Sequence, residues 1–156
     1  MAWGISGYGG QVPSEIATMK DIIGLYSTSY AFAALKKNGQ VVAWGNGVYG
    51  GDIPPTIITI DDFVQITGAV YAFAGLRRNG KVVTWGDPTY GGSTSEVQTE
   101  LENIRAIYPS SRAFAALRAD RNVITWGGKD FGGNSGEVNP LLNGHISYEI
   151  SEESKS

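Results

Sequence analysis

The chain has 156 residues, 12 basic and 15 acidic side chains, a formal net charge of −3 and no cysteine. A domain of this length can bury a sizeable core without disulfides or metal. The net charge gives no general basis for binding nucleic acid, and the lack of cysteine excludes disulfides and thiolate chemistry. No apolar run reaches membrane-spanning length. Without a signal-peptide pattern, a cytoplasmic location is favoured.

Three motifs recur at a common spacing of 41 residues and define a tandem repeat. The pair Trp-Gly begins at Trp3, Trp44, Trp85 and Trp126. An aromatic-Gly-Gly motif begins at Tyr8, Tyr49, Tyr90 and Phe131. The motif Ala-Phe-Ala-x-Leu begins at Ala31, Ala72 and Ala113. We therefore expect one domain over 1–150, with a partial unit 1–18, full units of about 19–59, 60–100 and 101–141, and a partial unit 142–150. The polar tail 151–156 is expected to be disordered.

Each full unit predicts three β-strands. In the first unit an apolar strand covers Ile22 to Tyr26, and a hairpin follows with strands at Tyr30 to Leu35 and Val41 to Trp44. Asn38-Gly39 supplies the positive φ angles of a tight hairpin turn. The third unit has Asp120-Arg121 at this turn. Either a non-glycine residue adopts positive φ there, which costs about 1 kcal/mol, or the turn changes type. We therefore expect the third hairpin to be the loosest.

Small residues in the first hairpin strand indicate stacking of sheets. Alanine is a poor strand former, so its recurrence in Ala-Phe-Ala predicts the close approach of another sheet on the alanine face. The Phe side chain between the alanines points to the opposite face. The pattern favours an all-β, propeller-like array of hairpin repeats. Another pseudo-threefold β fold, such as a β-trefoil or a β-prism, is the alternative.

The order of motifs resembles a known family. Residues 31–51 show this order: a hairpin with an Asn-Gly turn, a valine, Trp-Gly and a Gly-rich loop. The order is similar to that in the repeats of the regulator of chromosome condensation (RCC1-like) family. The resemblance implies β-propeller blades and a scaffold role in protein interaction. The repeat here is shorter than the family's usual blade, and this chain has fewer copies than the family's usual seven blades. The strict spacing leaves no room for the inserted wedge of the family's nucleotide-exchange activity, so that activity is not expected.

No catalytic constellation is visible in the sequence. The one histidine, His145, aligns with apolar strand positions, and the adjacent carboxylates Asp61 and Asp62 would face opposite ways in a strand. No calcium-loop spacing is present, and no Gly-Gly pair precedes a Lys-Ser/Thr pair or a helical pattern. We therefore expect neither an enzyme, nor a metal site, nor a cofactor.

Two sets of residues are candidates for binding. The recurring Trp44, Trp85 and Trp126 are either inter-blade core, which the neighbouring glycines favour, or exposed stacking platforms for a sugar. The hairpin tips carry seven basic residues against one acid, Asp120, and would form a basic rim for an anionic partner. These are Lys36, Lys37, Arg77, Arg78, Lys81, Arg118 and Arg121. The alternative role of such charges is to keep exposed hairpins soluble.

The sequence thus favours a non-catalytic scaffold that binds a protein or itself, and the alternative is a lectin-like carbohydrate-binding protein. An anionic or glycan ligand is possible at the candidate sites, whereas nucleic acid and a membrane span are not expected. A homo-oligomer is favoured, most simply a dimer, because joined copies bury both open ends of the array.

Overall fold

The structure, a computed structural model, describes residues 3–134. It consists of three antiparallel three-stranded sheets, one for each full unit, in which each strand pairs with the next along the chain. The strands are β1 (Ile22–Ser27), β2 (Ala31–Lys36), β3 (Val41–Gly45), β4 (Phe63–Gly68), β5 (Ala72–Arg77), β6 (Val82–Gly86), β7 (Ile104–Pro109), β8 (Ala113–Arg118) and β9 (Val123–Gly127). The prediction of an all-β fold with three strands per unit is confirmed.

Each sheet stacks an aromatic pair across its hairpin, and the pair is buried in the second and third units. The register places Phe32 opposite Trp44 and Phe73 opposite Trp85, and the third unit repeats the pairing. The rings of Phe73 and Trp85 stack with centroids 5.3 Å apart. Because both residues are within 1% of complete burial, this pair is the largest apolar contribution of its unit to the core.

The sheets stack through a repeated contact between unlike faces. Ala31, Ala33, Leu35 and Val41 of the first unit form one buried cluster with Phe63, Ile66, Phe73 and Trp85 of the second. The second and third units repeat this arrangement with equivalent residues. The predicted alanine face is therefore confirmed, since only small side chains let the sheets approach this closely.

The loops after the second hairpin strand reverse the chain toward the next unit. Each begins with a one-turn 3-10 segment, Gly47–Tyr49 in the first unit, and then reaches Gly50 at φ 106. A Cβ on Gly50 would stand 2.6 Å from the ring of Phe73, so only glycine fits between the units.

Two short helical turns were not predicted from the sequence. They are α1 (Ser14–Ala17) and α2 (Pro55–Ile58), and they follow Pro13 and Pro54, which occupy the N-cap positions. The fixed φ of proline starts each turn, and the turns bury Ile16 and Ile57. The third unit has Ser95 in place of the proline and forms turns without a helix.

Candidate functional site

The recurring tryptophans lie between units, in the core. Trp44, Trp85 and Trp126 are 7%, 1% and 3% exposed. Each indole N–H donates a hydrogen bond of 3.1–3.2 Å to the carbonyl of the first glycine of the preceding Gly-Gly pair. One ring face stacks on phenylalanine, and the low exposure leaves little of the other face for a sugar. These three residues have the burial that the core interpretation predicts.

The hairpin tips of the three units lie along one edge, called the tip edge here. Phe63 N–H donates to the Gly39 carbonyl at 3.0 Å, and Ile104 N–H donates to the Gly80 carbonyl at 2.9 Å. These bonds place the tip of each of the first two units against the first strand of the next unit. The basic residues predicted to share a rim are therefore brought to the same edge.

Acidic residues share the tip edge with the basic ones. Arg77 binds Asp62 through two hydrogen bonds of 2.7 and 3.1 Å. The other ion pairs join Lys36 to Asp21, Lys81 to Glu102 and Arg118 to Asp120. The tip edge therefore carries more acids than the one at the tips, Asp120, because the turn before the first strand of each unit brings a carboxylate to the same place. Binding of an anionic partner by this edge stays a prediction. Within residues 3–134, the exposed Lys37, Arg78 and Arg121 make no ion pair.

The Asp62–Arg77 pair is the most enclosed of these contacts. Its side chains are 22% and 29% exposed. Hydrogen bonding from Arg77 lowers the pKa of the Asp62 carboxyl below its ordinary value, against a smaller opposing effect of burial. The pair therefore acts as a structural tie between β5 and the turn before β4, and its charges are satisfied by each other.

The first unit leaves partly open a face that the other units bury: Leu25 is exposed and Ile22 and Phe32 are half-buried, although Trp44 is buried. We call Ile22, Leu25, Phe32 and Trp44 the head face, because their equivalents in the later units pack on the alanine face of the unit before. Leu25 is 62% exposed, whereas its equivalents Ile66 and Ile107 are each 2% exposed. Leu25 lines a groove of about 820 Å³ together with the other head-face residues, Trp3 and residues from the loop and helical turn before β1.

The third unit carries the complementary face. We call Ala113, Ala115, Leu117 and Val123 the tail face, because they are equivalent to the residues with which the first and second units cover their neighbours. Leu35 and Leu76 are buried at 4% and 6% exposure, while Leu117, their equivalent, is half-buried. The described structure therefore holds one unmatched head face and one tail face that is less covered than its equivalents.

A continuous row of aromatic rings lies at the end of the hairpins opposite the tip edge. We call this row the tyrosine ladder. In it, the residue before each Ala-Phe-Ala motif alternates with the aromatic residue of a Gly-Gly loop. The order along the row is Tyr8, Tyr30, Tyr49, Tyr71, Tyr90, Arg112 and Phe131. Neighbouring tyrosine ring centroids are 4.9 to 5.2 Å apart. The hydroxyl of Tyr30 has a raised pKa, first because of charge repulsion from Tyr71.

The tyrosine ladder was missed in the sequence, although a spacing could have revealed it. The loop aromatics were identified by their Gly-Gly motif alone. Tyr30 and Tyr71 stand 41 residues apart, each one residue before an alanine-rich strand, and Arg112 occupies the third position. The loop aromatics alternate along the chain with the residues that precede the alanine-rich strands. When the units stack, side chains of the two sets therefore alternate in the ladder as well.

Other candidate chemistry was tested within the described part of the chain. Among residues 3–134 no group of three or more His, Asp or Glu side chains is placed to hold a metal ion. No helix in that part is long and apolar enough to cross a membrane. His145, the partial unit 142–150 and the tail 151–156 lie outside the described residues.

Comparison with known proteins identifies the fold. Neither family models nor curated proteins include a match to this sequence. Among solved structures, Prp20p of Saccharomyces cerevisiae, the yeast RCC1, is similar with a TM-score of 0.53 and 22% identity. The receptor kinase CR4 ectodomain of Physcomitrella patens has a TM-score of 0.51 at 20% identity, and human WBSCR16 has 0.53 at 14%. The chain therefore has the RCC1-like propeller repeat fold.

These matches cover part of each protein. They span 68–70% of this chain but only 30%, 31% and 34% of Prp20p, the CR4 ectodomain and WBSCR16. The chain thus corresponds to about a third of the length of the structures it resembles.

Proposed function

We propose that this chain, an RCC1-like repeat protein by fold, is a protein-binding module that assembles by packing its head face on the tail face of a second copy. The exposure of Leu25 carries the proposal. A leucine that is 62% exposed occupies a position that is 2% exposed in both other units. Covering such a side chain completely is worth about 1.5–3 kcal/mol, and its neighbours in the head face add to this.

The partner of the head face is inferred from contacts within the chain. Twice, the equivalent face packs on a set of two alanines, a leucine and a valine from the preceding unit. The tail face of this chain presents the same residue types at the same spacing. The internal junctions support a second copy as the partner, because its tail face has the residues on which the equivalent faces pack within the chain.

A dimer is the simplest assembly of this kind. A head-to-tail junction is heterologous, and such junctions form a ring when their rotation closes. Two copies related by a twofold axis would make two such junctions and leave neither face open. The structural neighbours are compatible with a role in protein binding, since Prp20p binds Gsp1p and histones and also forms a complex with Kap60.

The assembly is tested by two substitutions on one strand. Leu25→Glu places a charge in the proposed junction, and we expect at least about a hundredfold weaker association, because an unpaired carboxylate would be buried. Ile23→Glu is the matched control. Ile23 is equally exposed at 65%, but its equivalents Val64 and Arg105 are exposed as well. Sedimentation equilibrium of both variants and the parent measures the effect.

Three outcomes would contradict the proposal. The first is a parent protein that does not associate, and the second is a Leu25→Glu variant that associates as tightly as the parent. The third is an equal loss in Ile23→Glu, which would place the contact elsewhere on β1. Melting temperatures of both variants within a few degrees of the parent show that the substitutions act on association.

A further inference from the structure

The tyrosine ladder contains one cation. Arg112 stands at the position that Tyr30 and Tyr71 occupy in the first two units. Its guanidinium carbon lies 5.3 Å from the ring centroid of Tyr71, 5.0 Å from that of Tyr90 and 4.7 Å from that of Phe131. Three rings therefore hold the guanidinium in place within the ladder.

The charge of Arg112 has no carboxylate partner within the described residues. Four of the seven basic residues of the tip edge form ion pairs, but Arg112 forms none within residues 3–134. Of the acids in the flanking loops, Asp87 accepts a hydrogen bond of 2.9 Å from the Thr89 backbone, and Asp130 makes no ion pair with Arg112. The guanidinium keeps donors available for an external anion.

The tyrosines around it also favour an anion. Their rings pack against one another in tilted, stacked and edge-to-face arrangements, which cover part of the ring faces within the ladder. The hydroxyls of Tyr30 and Tyr71 hydrogen-bond to each other, which leaves one of these two O–H groups and the ring edges for a ligand. The edge of an aromatic ring carries positive partial charge, and a phenol donates a hydrogen bond.

We propose that the tyrosine ladder docks an acidic segment of a partner protein, with a carboxylate paired to Arg112 and neighbouring side chains packed along the tyrosines. The planar guanidinium matches a carboxylate with two parallel hydrogen bonds. Tyr and Arg are the residues enriched where protein interfaces derive most of their affinity. The inference does not depend on head-to-tail assembly, because the ladder lies within residues 8–131 of a single copy.

Other ligand classes fit this surface less well. A polyanion such as nucleic acid or a sulfated glycan gains affinity from many cations along its backbone, and the ladder holds one. A neutral sugar needs an open ring face for stacking, and the four inner rings, Tyr30, Tyr49, Tyr71 and Tyr90, are half-buried against their neighbours. The chemistry of the ladder therefore favours one or two carboxylates flanked by apolar groups.

The test uses a synthetic peptide of alternating Glu and Tyr, and a matched peptide with Gln in place of Glu. Isotope-edited NMR follows the Arg112 Nε–H signal and the backbone amides of Tyr71 and Tyr90. We expect these signals to shift with the Glu peptide. We expect at least a fivefold weaker affinity for the Gln peptide and for the parent protein in high salt.

The decisive variant is Arg112→Tyr. Tyrosine occupies the equivalent ladder position in both other units, so the variant should fold and extend the ladder without its charge. We expect at least fivefold weaker binding of the Glu peptide, while Arg121→Gln, which removes an exposed tip-edge cation, leaves binding unchanged. The Leu25→Glu variant should bind the peptide as the parent does, which separates this inference from the assembly.

Several results would overturn the inference. They are the absence of peptide binding by the parent, equal binding by Arg112→Tyr, and shifts confined to the tip edge around Lys37, Arg78 and Arg121. Displacement of the peptide by heparin at lower concentration than by free Glu peptide would also overturn it, because the surface would then prefer a polyanion.

Discussion

Single residues fix contacts at both ends of the hairpins, between units at one end and within a unit at the other. The Trp85 N–H bonds the Gly50 carbonyl of the preceding unit at 3.1 Å, and Gly50 itself must be glycine because the Phe73 ring fills the space of a Cβ. At the tip edge, Asp62 and Arg77 form the enclosed ion pair of the second unit. The same 15-residue separation recurs in Asp21 and Lys36.

The ion pair gives a stability that depends on pH. Arg77 lowers the pKa of Asp62 in the folded state, so the pair stabilises the fold above the unfolded carboxyl pKa of about 3.9. That contribution is lost as the pH falls through the lower pKa of the folded state. We expect Asp62→Asn to reduce the free energy of unfolding by about 1 kcal/mol at neutral pH, with a smaller difference from the parent in acid.

The control for this prediction is Glu102→Gln. The Lys81–Glu102 contact is longer, at 3.9 Å, and both side chains are more than half exposed. Urea unfolding at neutral and acidic pH should show almost no effect of Glu102→Gln. If both substitutions lower the free energy of unfolding equally at neutral pH, the enclosed Asp62–Arg77 pair adds no more stability than the exposed Lys81–Glu102 pair.

At the level of elements, the three hairpins are alike except at one turn. Gly39 and Gly80 have φ angles of 84° and 80°, and Arg121 adopts 73° at the equivalent position. The third turn therefore keeps its type and accepts the strain of a side chain at positive φ. The sequence left two possibilities at this turn, backbone strain at a non-glycine residue or a change of turn type, and the structure has the first.

Removing that strain should stabilise the third hairpin. We expect Arg121→Gly to raise the free energy of unfolding by up to about 1 kcal/mol, reduced by the greater freedom of glycine in the unfolded chain. The Arg121 side chain is exposed and makes no ion pair within residues 3–134, so little else is lost. Thermal unfolding measures the change.

Gly80→Ala provides the opposite control. A Cβ at Gly80 would stand 3.1 Å from the Asn103 backbone in addition to the strain at φ 80. It should lower the melting temperature. A melting temperature that falls in Arg121→Gly would contradict the strain assigned to the third turn.

Features that repeat every 41 residues were predictable from the sequence, whereas contacts between residues of different motifs were less predictable. The spacing of Trp-Gly, Gly-Gly and Ala-Phe-Ala fixes strand positions, and glycine beside tryptophan indicated a buried ring. The ion pairs escaped notice because Asp62 and Arg77 belong to different motifs. The ladder escaped notice because Arg112 breaks the repeat of Tyr30 and Tyr71, and only the stacking of units interleaves these residues with the loop aromatics.

On the scale of the whole molecule, the array is asymmetric. Two internal junctions are closed by alanine faces, while Leu25 lies in an open groove of about 820 Å³. The tip edge and the tyrosine ladder lie at opposite ends of every hairpin, so head-to-tail assembly would continue both edges across the new junction. An acidic partner bound to the ladder would then remain accessible in the assembled state.

Coverage of the head face by a second copy is tested most directly by the mass of the unmodified protein in solution. Multi-angle light scattering from micromolar to millimolar concentration should show a species of twice the 16.6 kDa chain mass, dissociating on dilution. A mass that stays at 16.6 kDa at the highest concentration would contradict the account.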